Sequence, residues 1–362
     1  MDLNLIAPMN QLGYGQVGQN ILHALSRFTQ YDVALFPVGQ IRMEDVKSRF
    51  ETIQNSINLA KTPNFNAPCI RLWHQHDMSQ FVGNGKKIGF PIFELDTFTK
   101  QEKHHLCNLD HIFVCSGWAK SIILKELDNS SYMVGDNKVS VIPLGVQTYD
   151  IESKPTSGPT KFFTCGKWEI RKGHDAVIEA FNLAFKDHDD VELHMMCTNP
   201  FLNAKQHKAW ENKYLGSELG HKVRFLPRVD SHQEVLKTMN SMDCGVFISR
   251  AEGWNLELLE MMSLGKPVIA TNYSGHTEFC NSDNSLLVEI DELETAVDNI
   301  WFHGQGRWAK LGAEQVTQTA RHMRDVHVKK PTNIEGINTG KKFTWKNTTT
   351  EIIDAIDSFR DF

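Results

Sequence analysis

Two glutamates eight positions apart, Glu252 and Glu260, bracket the segment of this 362-residue chain that is richest in chemistry. Gly253 follows the first, and the apolar run between the two acids reads as the start of a helix. Gly265-Lys266-Pro267 ends that helix, and Val268–Thr271 reads as the next strand. A loop acid at a helix N-terminus and a second acid about two turns along, at roughly 3.6 residues per turn, can face one ligand from the same side. The exposed N–H groups at such a terminus suit an anionic group such as a diphosphate. Taken alone, acids at this spacing are more often solvent-facing charges on an amphipathic helix, Glu257 and Glu260 included. The neighbouring motifs tip the balance.

Gly166-Lys167-Trp168-Glu169-Ile170-Arg171-Lys172-Gly173 follows the first strand of the second half. Cations at the Lys167 and Lys172 spacing can neutralise a diphosphate and stabilise it as a leaving group, without a metal. Lys167 would act as a point charge, without the two-pronged grip of a guanidinium, and Arg171 is an alternative. Near the N-terminus, Gly13-Tyr14-Gly15-Gln16-Val17-Gly18 follows the first strand and opens a helix. Glycines there allow a tight turn and close approach of backbone to a phosphate. A nicotinamide dinucleotide site would also need an acid at the end of the second strand; residues 33–40 offer none. Two further loops compete for contact with a substrate's reacting end: Trp73-His74-Gln75-His76-Asp77 and the run 89–96 with Glu94 and Asp96. A His-x-His-Asp cluster can bind a metal, but no third or fourth ligand stands at a recognisable spacing, so no metal site is assigned.

The elements that must position these residues are written as an alternation of short apolar runs and helical patterns, the mark of a doubly wound α/β sheet. Strands are predicted at 3–8, 31–36, 69–73, 87–93, 111–115 and 139–143, with a helix over 16–28. Residues 151–159, poor in apolar side chains and rich in Pro, Ser and Gly, read as a linker. The pattern then restarts, with strands at 161–165, 191–197, 223–227 and 244–248 and a helix over 174–185. The organisation expected is a first domain over 1–150, a second over 160–327, a basic surface loop over 328–344 and a final amphipathic helix over 345–362. Two such domains imply a cleft with a ligand in it.

These motifs resemble the Glu-x7-Glu signature of retaining, nucleotide-sugar-dependent glycosyltransferases of the GT-B fold, particularly family 4 with its sucrose synthase-like and mannosyltransferase-like enzymes. The chain departs where the family usually has Pro (Glu257), Ala (Met261) and Arg (Lys167). Ser116 with Lys120, Pro143 with Gly145 and Val146, and the 273–278 loop also match the family, as fold markers. The resemblance implies two Rossmann-like domains and a last helix that crosses back to the first, anchored by Trp345. It implies that Glu260 accepts hydrogen bonds from a donor's ribose. Glu252 and the backbone of Gly253, Trp254 and Asn255 hold the sugar, while Lys167, Lys172 and the loop of Gly13 and Gly15 hold the diphosphate. His74 or His76, or Glu94 and Asp96, would stand near the sugar's reacting end. UDP-sugar is the expected co-substrate, with GDP as runner-up, and no bound cofactor or metal requirement is expected. Retention implies same-face attack, the leaving phosphate accepting the acceptor's proton.

The acceptor is open. The segment 4–15 also looks like glycosyltransferases of large tailed bacteriophages, some of which glycosylate hydroxylated cytosine in DNA. Such an enzyme needs to reach a base and should show a basic surface; the candidates are Lys86, Lys87, Lys100, Lys103, Lys120, Lys125, Lys329 and Lys341. A nucleotide-sugar epimerase and a nucleotide-sugar-binding protein share the architecture and stay as alternatives.

Composition bounds the reading. With 41% hydrophobic and 23% charged residues, the chain has the make-up of a globular protein with real cores. The net charge of −6 gives no support to a strongly basic nucleic-acid binder, and residues 1–157 are nearly neutral, with 14 basic against 15 acidic. Seven scattered cysteines, never spaced as CxxC, argue for a reducing compartment. With no secretory pattern at the N-terminus and no long apolar run, the expectation is a cytoplasmic protein, in the host cytoplasm if viral.

Overall fold

The computed structural model describes residues 2–147, 157–229 and 231–358. The chain forms two compact units, Met1–Gly145 with Phe343–Phe362, and Val146–Lys342.

In the first unit six strands form one parallel sheet: β1 (Asp2–Ala7), β2 (Asp32–Pro37), β3 (Cys69–Trp73), β4 (Lys87–Pro91), β5 (His111–Val114) and β6 (Val139–Val141). Their order is β2-β1-β3-β4-β5-β6. Both faces are covered, so the strands read as near-continuous apolar runs, Leu3, Leu5, Ile70, Leu72, Ile88, Phe90, Ile112 and Phe113 all being buried. The connecting helices are α1 (Gly13–Phe28), α2 (Met43–Val46), α3 (Phe50–Leu59), α4 (Lys100–Cys107) and α5 (Gly117–Leu127). Ser116 caps α5, its hydroxyl accepting from the Ala119 N–H at 3.1 Å. The chain moves from β1 to one side and returns at β3 to the other, so the loops after β1 and β3 meet at the switch point where open α/β sheets bind ligands.

The second unit repeats the plan. Its strands are β7 (Thr160–Gly166), β8 (Val191–Cys197), β9 (Val223–Phe225), β10 (Cys244–Phe247), β11 (Val268–Thr271) and β12 (Leu286–Val288), in the order β12-β11-β10-β7-β8-β9. All pair in parallel. Helices α6 (His174–Ala184), α7 (Ala204–Leu215), α8 (His232–Asn240) and α9 (Leu256–Ser263) connect them. Here the switch falls between β7 and β10, which pair as Cys244 with Phe162 and Gly245 with Phe163. The Lys167–Lys172 and Glu252–Asn255 segments, some 80 residues apart in sequence, therefore leave neighbouring strand ends. An antiparallel hairpin of β13 (Leu293–Val297) and β14 (His303–Ala309) follows, then α10 (Ala313–Lys329), α11 (Ile334–Lys342) and α12 (Trp345–Ser358).

Two expectations change, and a third falls largely outside the described residues. The basic surface loop over 328–344 is instead the end of α10 and the helix α11. Gly336, Thr339 and Gly340 of α11 are buried, and a side chain at Gly340 would run into Ser263 of α9. Lys341 and Lys342 mark the polar last turn of a packed helix, which polarity alone made look like a loop. The linker predicted at 151–159 lies outside the described residues, apart from 157–159. Helix α1 starts at Gly13, three residues early, because Asn10 closes the turn before it: its Oδ1 accepts from the Leu12 N–H at 2.9 Å.

The last helix belongs to the first unit, where α12 packs on α1. Trp345 is buried, and Thr348 donates its hydroxyl to the Pro143 carbonyl at 2.8 Å. A Cβ at Gly145 would lie 2.2 Å from the Trp345 backbone nitrogen, so only glycine admits the tail. Gly145→Ala should cost about 1–3 kcal/mol by overpacking, read as a lowered unfolding midpoint in calorimetry, whereas Gly39→Ala, with open space around the Cβ position but φ +79°, should show only the smaller left-handed backbone penalty.

Candidate functional site

The loops leaving β7 and β10 build a line of alternating charge in the second unit. Lys167 Nζ lies 2.6 Å from Glu169 Oε1, and Glu169 Oε2 lies 3.0 Å from Arg171 Nη2. Arg171 Nη1 then reaches Glu252 Oε2 at 2.9 Å, and Glu252 Oε1 meets Lys172 Nζ at 2.8 Å. Three cations face two carboxylates. Glu169, Arg171 and Glu252 are each about 5% exposed, whereas Lys167 is partly open to solvent. Burying charge is tolerable only where it is paired and hydrogen-bonded, and Glu252 is both: Ser249 also donates its hydroxyl to Oε1 at 2.8 Å.

Burial pushes the Glu252 carboxyl up, yet the Lys172 ammonium and then the Arg171 guanidinium outweigh it and hold it well below the usual carboxylate range. For Lys172, burial works against the charge, and Glu252 followed by Glu257 raises it above its ordinary value. Half-buried Glu257, in the first turn of α9, moves the other way: burial raises its carboxyl.

Two glycines make the geometry possible. Gly166 has φ +128°, and a Cβ there would press on Lys172 Cε at 3.2 Å, so the bare backbone lets the lysine lie across the strand end. Gly173 has φ +70° and would drive a Cβ to 2.1 Å from the Ile248 carbonyl. Arg250 ties the two loops together. Its backbone N–H donates to Arg171 O at 2.7 Å, and its guanidinium grips Asp175 with two 2.9 Å bonds and reaches Glu294 of the hairpin at 3.2 Å.

Asn255 caps α9 from a left-handed backbone, φ +86°, which asparagine tolerates better than most residues. Its Oδ1 accepts from the Leu258 N–H at 3.2 Å while its Nδ2 donates to His276 Nε2 at 2.9 Å. That bond leaves the His276 proton on Nδ1, facing the Thr271 carbonyl at 3.1 Å. Burial lowers His276 to about 4, so the ring stays neutral in this role. The backbone of Glu252 is fixed as well, its N–H donating to Ser274 Oγ and its carbonyl accepting from the Gly275 N–H, both at 2.9 Å.

Glu260 lies in the second turn of the same helix, 6% exposed, with Oε1 2.6 Å from His232 Nε2. Trp254 is a core residue: its indole is 3% exposed against Phe279, so what it offers a ligand is backbone. Lys167 also sits over the exposed ring of Phe201, 5.8 Å from its centroid.

In the first unit, Tyr14 joins the loops after three strands. Its hydroxyl lies 3.0 Å from His74 Nδ1 and also bonds to the Ile92 carbonyl. His74 stacks on His76 at 5.2 Å, and His76 is exposed while Glu94 is half-buried. Asp77 is held by Arg71 at 2.6 Å. Gly13 is open, whereas a side chain at Gly15 would strike Asn10 at 2.3 Å; Gly15 thus serves the turn. Among the described residues no group of three His, Cys, Asp or Glu is placed to hold a metal ion, and no helix is long and apolar enough to cross a membrane. Several lysines considered for a DNA-facing surface are paired: Lys103 with Glu126, Lys120 with Asp136 and Lys329 with Asp325.

The sequence reading named Glu252, Glu260, Lys167 and Lys172; in the structure Lys167, Lys172 and Glu252 stand on the adjacent loops after β7 and β10, and Glu260 in the second turn of α9. It missed Glu169, His232 and His276. Glu169 and His276 stand inside motifs already singled out; His232 is a lone histidine with no signal around it.

Residues 159–301 match the family model for glycosyl transferases group 1. No curated protein matches the chain. Solved structures similar to it include the lipopolysaccharide outer core galactosyltransferase WaaB in apo form, 16% identical, with 99% of each chain covered and a TM-score of 0.66. Sucrose-phosphate synthase from Thermosynechococcus elongatus is 15% identical over 100% of this chain and 99% of that one, TM-score 0.71. HepE from Anabaena, in complex with UDP-glucose, is 14% identical over 99% and 100%, TM-score 0.69. At these identities the likeness speaks to the fold, which is GT-B.

Burial lowers His174 as well as His276 to about 4. Unfolded histidine titrates near 6.5, so below that pH the unfolded chain takes up protons that the folded chain refuses, and stability is lost as pH falls from about 6.5 toward 4. Glu252, with its depressed carboxyl, adds a loss in the same direction below about 4.3. The unfolding free energy from denaturant titrations should hold steady above about pH 7 and fall across that window, by on the order of a few kcal/mol.

Proposed function

We propose that this chain is a retaining glycosyltransferase that moves a sugar from a nucleotide-sugar, a UDP-sugar, to an acceptor hydroxyl. The observation that carries the reading is the Lys172–Glu252 ion pair, buried beside the first turn of α9 at the switch point between β7 and β10. It lies inside the segment matched by the glycosyl transferases group 1 model, and the complex of HepE with UDP-glucose supports the choice of nucleotide.

In this reading the donor's diphosphate takes Lys172 away from Glu252, with Arg171 and Lys167 adding charge and the first N–H groups of α9 adding dipole. Lys172 stabilises the negative charge that develops on the leaving phosphate, so that the side chains supply the compensation a metal would otherwise give. Glu252, kept ionised by Arg171, accepts from hydroxyls of the transferred sugar, helped by the backbone of Gly253, Trp254 and Asn255. Glu260 accepts from the ribose. Attack comes from the face the leaving group departs, the phosphate taking the acceptor's proton.

Removing one preorganised charge from a leaving group typically costs 10²–10³-fold in turnover. Lys172→Ala should show a loss of about that size in kcat with a smaller change in nucleotide affinity, whereas Glu260→Ala should mainly weaken nucleotide binding. Mass spectrometry with a panel of UDP- and GDP-sugars measures both, and NMR of the product anomer tests retention. Full activity in both variants would sink the assignment. Hydroxymethylated duplex DNA belongs in the acceptor panel because of the N-terminal likeness to bacteriophage enzymes; its mark is binding that weakens steeply with salt while nucleotide affinity holds.

A further inference from the structure

Glu260 owes its orientation to a residue on another helix. Ser231 caps α8, accepting from the Glu234 N–H at 3.2 Å, and places His232 as the first helical residue. Helix α8 packs on α9, and His232 Nε2 closes to 2.6 Å from Glu260 Oε1. The Glu260 side chain is 8% exposed and that of His232 22%. A glutamate has three rotatable bonds, and a single short bond to Oε1 fixes the plane of its carboxylate. Among the described residues Oε2 has no hydrogen-bond partner. A largely buried carboxylate with one oxygen committed and the other open is a receptor for hydroxyl donors held side by side.

We propose that His232 is a positioning residue. By holding Oε1 it presents Glu260 to the vicinal diol of a ribose, and so sets the preference for ribonucleotide over 2′-deoxyribonucleotide donors. This rests on the donor-site reading above and adds the residue that tunes it. A glutamate freed from His232 spreads over several rotamers and loses part of its grip on the diol. A hydrogen bond to a charged group is worth roughly a tenfold change in binding, and that is the size of effect expected.

The test compares wild type, His232→Ala and His232→Gln, after their unfolding midpoints show that each is folded. Binding of UDP, GDP and the 2′-deoxy form of each is measured by calorimetry, and kcat and KM with the best donor sugar. Wild type should prefer the ribonucleotide. His232→Ala should weaken ribonucleotide binding roughly tenfold, leave the 2′-deoxy form nearly unchanged and raise KM with little change in kcat. His232→Gln, whose amide N–H can reach the same oxygen, should restore much of the difference. If wild type binds ribonucleotides and both variants keep its affinity and its ribose preference, the role of His232 is overturned while the donor site stands. If wild type binds neither UDP nor GDP, the donor-site reading falls and takes this inference with it.

Discussion

The second unit is organised around a carboxylate that must stay ionised inside the protein. Glu252 is about as buried as a core residue, yet two cations and a serine hydroxyl face it. An unpaired charge at that depth would cost several kcal/mol, so everything that delivers Arg171, Lys172 and Ser249 to the same spot is constrained together. The parallel pairing of β7 with β10 brings the two loops side by side. The left-handed Gly173 and the bare backbone of Gly166 let one loop fold tightly enough to point both cations the same way. Arg250, spanning Ile170, Asp175 and Glu294, locks the two loops in register. Loosening any one of these leaves the carboxylate with fewer partners than its burial requires.

The same constraint explains why α9 begins where it does. Asn255 accepts a left-handed backbone, caps the helix with one amide atom and fixes a neutral histidine with the other. That histidine in turn braces the loop whose serine and glycine hold the Glu252 backbone. The first turn of α9 is therefore anchored from both sides, and Glu260 inherits that rigidity in its second turn. Local backbone chemistry, packing and electrostatics here point to the same arrangement, which is what makes a site precise.

Much of this was legible beforehand because parallel strands covered on both faces must be written as apolar runs. β3, β8 and β11 were located to the residue, and the restart of the pattern after the linker announced a second sheet. The Glu-x7-Glu and Gly–Lys segments were legible through their resemblance to a known family, since spacing alone favoured ordinary surface charges. What stayed hidden was set by contacts remote in sequence. The pairing of Glu260 with His232 spans 28 positions and two helices. Helix α11 looked like a loop because its buried positions are glycines and a threonine, with no apolar stripe to reveal them. Trp254 was expected to offer a ligand its backbone, and the packing of its ring on Phe279 leaves that the part it could offer.

On the donor-site reading proposed above, the charge ladder from Lys167 to Lys172 would also govern how the site behaves between turnovers. Because Glu169 and Glu252 offset most of the charge of Lys167, Arg171 and Lys172, the site without a ligand would attract stray phosphate or other small anions less than bare cations would. An incoming diphosphate would have to compete with a carboxylate that is tethered nearby and therefore present at high effective concentration. When a spent diphosphate left, the same carboxylate would return to the lysine, so departure would leave no naked buried cation behind. The protein carries its own counter-ion for Lys172, and on that reading the counter-ion would ease product release.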